Sequence, residues 1–227
     1  MNVIALFALG WGLADDPKPI ALRMLVDGKP SGEGSYFHKV LPDGGKQILI
    51  DLKFALEGAK SVRVRSESVY DWIGNPVRKI QETLDTEGRR LEIRMATFDE
   101  IGADLTIEKE GKSTTKSVEL TRSAPRVVKS EFWFVRETPK KGDKSTFYQF
   151  DLNEARWKLM ESVYEGPTSV EIGGAKVDGH RVAGDGTLAI LDSRGWPIVI
   201  EIGKVRLERT SLQNPTAPRP SAPERGR

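Results

Sequence analysis

The sequence predicts an all-β fold: a large curved antiparallel sheet or half-barrel of about a dozen strands, with few or no helices. Two features carry that expectation. Apolar and charged residues alternate with a period of two over much of the chain, as in half-buried antiparallel strands. Glycine-centred turn signals separate these runs at spacings of about 8–12 residues or a little more, which suits a meander of hairpins. A helix would need apolar residues at i, i+3, i+4 and i+7, and no long segment repeats that pattern.

An apolar run, Val3 to Leu13, precedes the strands and turns abruptly polar at Asp15-Asp16-Pro17. It is too short to cross a bilayer as a helix, which takes about 20 residues. Gly12 and Ala14 sit three and one positions before the break, as at a signal-peptidase site. Residues 1–14 therefore read as a signal peptide, and the protein as exported to the periplasm or cell envelope and not membrane-spanning once the signal is removed. The competing reading is a first strand or buried helix.

After Pro19 the strand rhythm sets in. Leu52, Phe54 and Leu56 alternate with Asp51, Lys53 and Glu57, and Val62 and Val64 with Arg63, Arg65 and Glu67. Leu91, Ile93 and Met95 form the apolar side of the next run against Glu92 and Arg94, and Leu105 and Ile107 that of the one after. Turns are expected at Asp43-Gly44-Gly45, Glu57-Gly58, Gly74-Asn75-Pro76, Glu87-Gly88, Glu110-Gly111, Asp178-Gly179, Asp185-Gly186, Arg194-Gly195 and Gly203-Lys204. There glycine accepts positive φ and Asp or Asn closes the turn. The stretch from Asp151 to Gly166 starts either as a helical turn or as a long strand on which Trp157, Leu159 and Val163 alternate. No composition break divides residues 15–210, which read as one domain. Residues 211–227 carry four prolines and three arginines and are expected to be a disordered basic tail.

Composition narrows the function. The chain has 227 residues, 30% of them charged, and a net charge of +2 that the tail alone supplies. A balanced domain lacks the broad basic footprint of a nucleic-acid binder, so no nucleic-acid partner is expected. With no cysteine, disulfides, thiolate metal sites and Cys nucleophiles are excluded. The two histidines, His38 and His180, sit in no zinc-binding spacing, so no metal or cofactor is expected. No Gly-x-Ser-x-Gly occurs, and the glycine clusters at Gly32 to Gly34 and Gly173-Gly174 read as turns or bulges. Asp99-Glu100, or Asp185 with Asp192, supply carboxylates for a remote alternative, a polysaccharide-processing enzyme.

The aromatics are the remaining signal. Phe132, Trp133 and Phe134 are consecutive, and Phe147, Tyr148 and Phe150 follow a Pro-Lys-Lys-Gly-Asp loop, with Trp157 and Tyr164 beyond. On an extended strand Trp133 would face away from Phe132 and Phe134, so both faces would need covering. A crossing segment such as Thr121 to Ser130, an apolar hollow inside a curved sheet, or a docked partner would each do so.

The segments SESVYDWIGNPVRKIQE, ATFDEIGADLTIEKEGK, SEFWFVRETPKKGDKSTFYQFD and ILDSRGWPIVIEIGKVRLER together resemble β-rich extracytoplasmic domains of unknown function. Those domains occur alone or in front of transglutaminase-like modules in bacterial envelope proteins. They in turn are distantly similar to the lipoprotein-carrier (LolA-like) fold. The resemblance covers about two thirds of the chain and rests on hairpin patterns. It implies an incomplete barrel around an apolar hollow, and no catalysis. The expected function is therefore non-catalytic: binding of an apolar or lipid-like ligand, or a lipoprotein, in the concavity. Phe132, Phe134, Phe147 and Phe150 would line it, with Trp133, Trp157 and Tyr164 as alternates. The competing class is a structural or protein-interaction module with a solid core that holds an envelope partner.

Overall fold

The computed structural model describes residues 18–55, 60–100, 102–120 and 133–210. The first eight strands are β1 (Ile20–Val26), β2 (Lys29–Val40), β3 (Lys46–Phe54), β4 (Val62–Tyr70), β5 (Pro76–Leu84), β6 (Arg90–Phe98), β7 (Gly102–Lys109) and β8 (Lys112–Glu119). One helical turn, α1 (Trp133–Arg136), precedes six more: β9 (Lys144–Asp151), β10 (Arg156–Ile172), β11 (Ala175–Gly184), β12 (Thr187–Leu191), β13 (Pro197–Ile202) and β14 (Val205–Arg209). The expected signal peptide and basic tail lie outside the described residues, as do Glu57-Gly58 and the stretch from Thr121 to Ser130.

All fourteen strands form one antiparallel sheet. Its order is two meanders, β1 to β8 and β9 to β14, joined where β1 pairs with β14. The last strand thus sits beside the first in the middle of the sheet, and β8 and β9 are the two edges. The ladder does not close into a barrel.

The sheet rolls, and glycine lets it. On β2, a Cβ at Gly32 or Gly34 would overlap the backbone of Lys53, Asp51 and Leu52 on β3. On β11, one at Gly184 would overlap the carbonyl of Glu161, and one at Gly179 would crowd Ile190 and Ile198. Missing side chains at such places let neighbouring strands coil tightly, as at barrel corners. Bulges at Met24/Leu25, Tyr164/Gly166 and Ile190/Leu191 add local bends.

Register assigns the faces, because directly paired residues share one. Leu22, Met24, Tyr36, Ile50 and Leu207 face the main core, with Val182 and Ala189 of the second meander packed against them. A second core brings Ala96, Ala103 and Leu105 of β6 and β7 onto Phe150 and Leu152. Phe147 belongs to the main core and Phe150 to the second. Three residues apart on a regularly paired strand, they point to opposite faces. The β9–β10 hairpin is therefore covered on one side by the roll's interior and on the other by the β6–β8 end of the same sheet. A third core sets Val170, Ile172 and Val177, past the β10 bulge, against Ile190 and Val199.

Several local expectations change. Trp133 and Phe134 lie on a helical turn closed by the Glu137 N–H donating to the Trp133 carbonyl at 2.9 Å. Neighbours on a helix diverge by about 100° rather than 180°, so both rings enter the same core. On β6 the faces are reversed: Leu91 and Met95 are exposed and Ala96 is fully buried. The inward Arg94 donates through Nη1 to the carbonyls of Leu152 and Asn153 at 3.0 Å, which ties β6 to the far end of the sheet. Asp178-Gly179 lies inside β11, and Gly173-Gly174 makes the hairpin turn instead. The stretch after Asp151 is a short turn followed by the 17-residue strand β10.

If the roll depends on bare backbone at these crossings, Gly184→Ala should cost far more than Gly186→Ala. Gly186 has φ +74° and nothing near its absent Cβ. Alanine there pays only the left-handed penalty of about 1–2 kcal/mol. Urea midpoints of the two variants should differ clearly, with Gly184→Ala at least twice as destabilised.

Candidate functional site

Trp133, Phe134, Phe147, Phe150 and Tyr164 are all buried, and Trp157 is half-buried. Phe132 lies outside the described residues. The others divide between two cores. Trp133, Phe134, Phe147 and Tyr164 are in the main core, with Phe134 edge-on to Trp133 at 6.4 Å and tilted against Tyr164 at 5.5 Å between ring centroids. Phe150 and Trp157 join Phe98 in a three-ring cluster at 5.3–5.5 Å separations, edge to face.

Their polar atoms are satisfied within the protein. Trp133 Nε1 donates to Ser162 Oγ at 2.8 Å, and Trp157 Nε1 to the Val118 carbonyl at 3.4 Å. Tyr164 OH and His180 Nδ1 are 2.9 Å apart. His180 also lies against Phe134, at 5.4 Å between rings. This is the geometry of closed packing.

Sequence reasoning missed two other features. The first is a polar cluster at one end of the roll. The Asp192 carboxylate accepts N–H groups from Arg194 and Trp196 at 2.9 Å and pairs with Arg209 Nη2 at 2.8 Å. Burial alone would push the Asp192 carboxyl up, but the Arg209 charge and its hydrogen bond hold it below the usual range. Arg194 lies 4.3 Å over the Trp196 ring. Below it, Trp196 Nε1 and His38 Nε2 are both buried with no hydrogen-bond partner among the described residues, and the two rings are 6.1 Å apart. Burial, and secondarily the Lys46 charge, lowers His38 to about 4.

The second is a groove of about 620 Å³ across β1, β2 and β3. Arg23, Glu33, Asp51, Lys53 and Arg63 line it from the face opposite the main core, with Gly32 and Gly34 also at its wall. Asp51 accepts from Arg63 Nε at 2.7 Å and from Arg65 at 3.3 Å. The Arg63 hydrogen bond holds its carboxyl below the usual range despite partial burial. The groove is charged and largely self-paired, unlike the apolar hollow that the sequence suggested.

The nominated carboxylates do not converge. Asp185 and Asp192 stand at opposite ends of β12, about 20 Å apart at a strand's rise per residue. Asp185 accepts the Glu161 N–H at 2.7 Å, and Asp99 the Gly102 N–H at 2.8 Å, so both serve as backbone caps. Among the described residues no three His, Asp or Glu side chains are placed to hold a metal ion.

His38 makes stability depend on pH. Its folded value of about 4 lies below the ordinary 6.5, so the unfolded chain binds its proton first. Its contribution is complete above pH 6.5 and is lost as pH falls toward 4, amounting to a few kcal/mol. Urea midpoints for the wild type should fall across that window, and His38→Met should flatten the fall. Phe147→Ala should cost about 3–5 kcal/mol by the same measurement, as for other buried aromatics.

No family model matches this chain, and no curated protein matches it. Among solved structures it is similar to a beta-barrel-like protein of domain of unknown function DUF1849 from Brucella abortus. The TM-score is 0.54 at 12% identity, over 88% of this chain and 95% of that one. At that identity the likeness is one of fold: a bacterial β-barrel-like architecture.

Proposed function

We propose that this chain is a non-catalytic module with a solid interior that acts through its outer surface on a partner in the cell envelope. The observation that carries the reading is the closed packing of Trp133, Phe134, Phe147 and Tyr164, buried against one another and against the aliphatic core. Filling a pocket of drug or lipid size would require several hundred cubic ångströms of apolar space. In the place where the sequence suggested such space, these rings stand in contact. The extracytoplasmic setting rests on the Val3 to Leu13 run and the Gly12-Leu13-Ala14 site.

The carrier reading ranks second: an apolar or lipid-like ligand, or a lipoprotein, held in the concavity as in LolA-like proteins. One observation favours it. Among the described residues the seam between β8 and β9 has no ladder hydrogen bonds, so only side-chain packing and the Arg94 and Trp157 side-chain hydrogen bonds would have to part there.

Organic extraction of the purified chain followed by mass spectrometry separates the two. The surface reading expects no stoichiometric lipid and no enhancement of an apolar dye's fluorescence by the folded protein. Saturable dye binding that Phe134→Ala or Phe147→Ala alters, without unfolding, would overturn it in favour of the carrier.

A further inference from the structure

Three turns of this fold have the same construction. In each, an Asp accepts two backbone N–H groups through Oδ1, its own N–H bonds the carbonyl four residues on, and a glycine follows at positive φ. The Asp85 turn takes N–H groups from Glu87 and Arg89 at 2.9 Å, with Gly88 at φ +82°. The Asp192 turn takes those of Arg194 and Trp196 at 2.9 Å, with Gly195 at φ +78°. The Asp71 turn takes those of Gly74 and Asn75 at 2.7 and 2.8 Å, with Gly74 at φ +101°. The two apex positions read Thr86-Glu87, Ser193-Arg194 and Trp72-Ile73. Turn chemistry therefore asks for the Asp and the Gly and leaves the apex free. Only in the Asp71 turn is the apex large and apolar.

Trp72 is 63% exposed and Ile73 42%. The backbone below them is rigid, because Asp71 also accepts from Asn75 Nδ2 at 2.9 Å. Val77 and Val40 are exposed at the strand ends beside it. The β2–β3 turn abuts this apex: a Cβ on Gly44 would lie 3.5 Å from that of Trp72. Its exposed Pro42 extends the apolar tip.

We propose that this two-turn tip inserts into the interfacial zone of a lipid bilayer and holds the module on a membrane surface. Three observations choose a bilayer over a protein. The five exposed side chains offer a few hundred square ångströms, below the roughly 800 Å² per partner of a stable protein interface. A convex tip fits a deformable medium, where each inserted apolar side chain adds independently. Tryptophan, apolar in body with one N–H, is the side chain that settles at the boundary of hydrocarbon and headgroups. The rim is close to neutral. Asp43 caps its own turn, accepting the Gly45 N–H, and Arg78 pairs with Glu67. Exposed Lys39 at the end of β2 and exposed Asp99 and Glu100 in the β6–β7 turn stand at this same end of the sheet. Attachment therefore runs on apolar insertion, without dependence on anionic lipid.

The proposal rests on the surface-acting reading above, but its test does not touch the interior. The processed chain beginning at Asp15, which lacks Trp11 and the apolar Val3 to Leu13 run, is mixed with zwitterionic phosphatidylethanolamine–phosphatidylcholine vesicles. The expected result is co-sedimentation that persists in high salt, with a blue shift and brominated-lipid quenching of Trp72. Trp72→Ser/Ile73→Ser, with an unchanged melting temperature, should lose roughly ten- to a hundredfold in partition coefficient. The proposal is overturned by no binding, by equal binding of the double variant, or by binding that needs anionic lipid and vanishes in salt. It is equally overturned if the double variant loses only self-association, or capture of a protein partner, while vesicle binding is absent. Failure of this test with no extractable lipid leaves the solid-interior reading standing; dye binding inside the core removes that reading whatever the vesicles show.

Discussion

The packing of Phe98, Phe150 and Trp157 is the contact on which this architecture depends. One open sheet of fourteen strands ordinarily has one dry face and one wet one. Here the β9–β10 hairpin must bury both, because Phe147 and Met160 point one way and Phe150 and Trp157 the other. Rolling the sheet until β6 to β8 lie over the hairpin solves the problem without a second layer. The join is made by side chains, by Arg94 reaching two carbonyls and by the Trp157 N–H reaching a third. Among the described residues no ladder hydrogen bonds cross it, so the apolar contact has to supply most of the closing free energy.

Rolling has a structural cost, and its placement explains much of the rest. Strands that cross closely cannot keep every side chain, so β2 and β11 carry glycine where β3, β10 and β12 approach. The charged groove lies on the other face of these same strands. At the roll's end, ordering falls to the buried Asp192–Arg209 pair and the Trp196 ring beneath Arg194. A pair of this kind adds little net stability over an apolar substitute. It does fix where β14 lies relative to the β12–β13 turn, through the further Arg209 Nε bond to the Pro197 carbonyl at 2.7 Å.

Legibility followed the range of the interaction. Alternation in β3, β4 and β7, and turns such as Asp43-Gly44-Gly45 and Asp185-Gly186, are decided within a few residues, and they read correctly. The β6 faces did not, because Leu91 and Met95 outweigh Ala96 on any hydrophobicity count. Ala96 is inside for its small size, where the Phe98 ring must approach Phe150. Trp133 and Phe134 read as strand because three consecutive aromatics favour extended backbone; the core needed both rings on one side. The pairing of β1 with β14 and the overlap of the sheet's ends leave no local trace at all. Nor did the sequence distinguish Trp72, in a patterned turn, from Trp196, in an almost identical one. One is outside and the other inside because their offsets from the turn's Asp are one and four.

That last pair shows how a solid fold separates structure from recognition. At the fourth position after Asp192 the chain has re-entered the strand, and the ring faces the core beside Tyr36, at 6.2 Å between centroids. At the first position after Asp71 the chain is still turning outward, and no strand neighbour can cover the ring. Burying Trp72 would require another element, whereas a serine there would satisfy the turn equally well, as Ser193 does. Leaving a tryptophan in water forgoes the largest apolar stabilisation that any side chain can add to a fold. When the interior is already filled by other rings, that forgone stabilisation remains available for contacts made from outside.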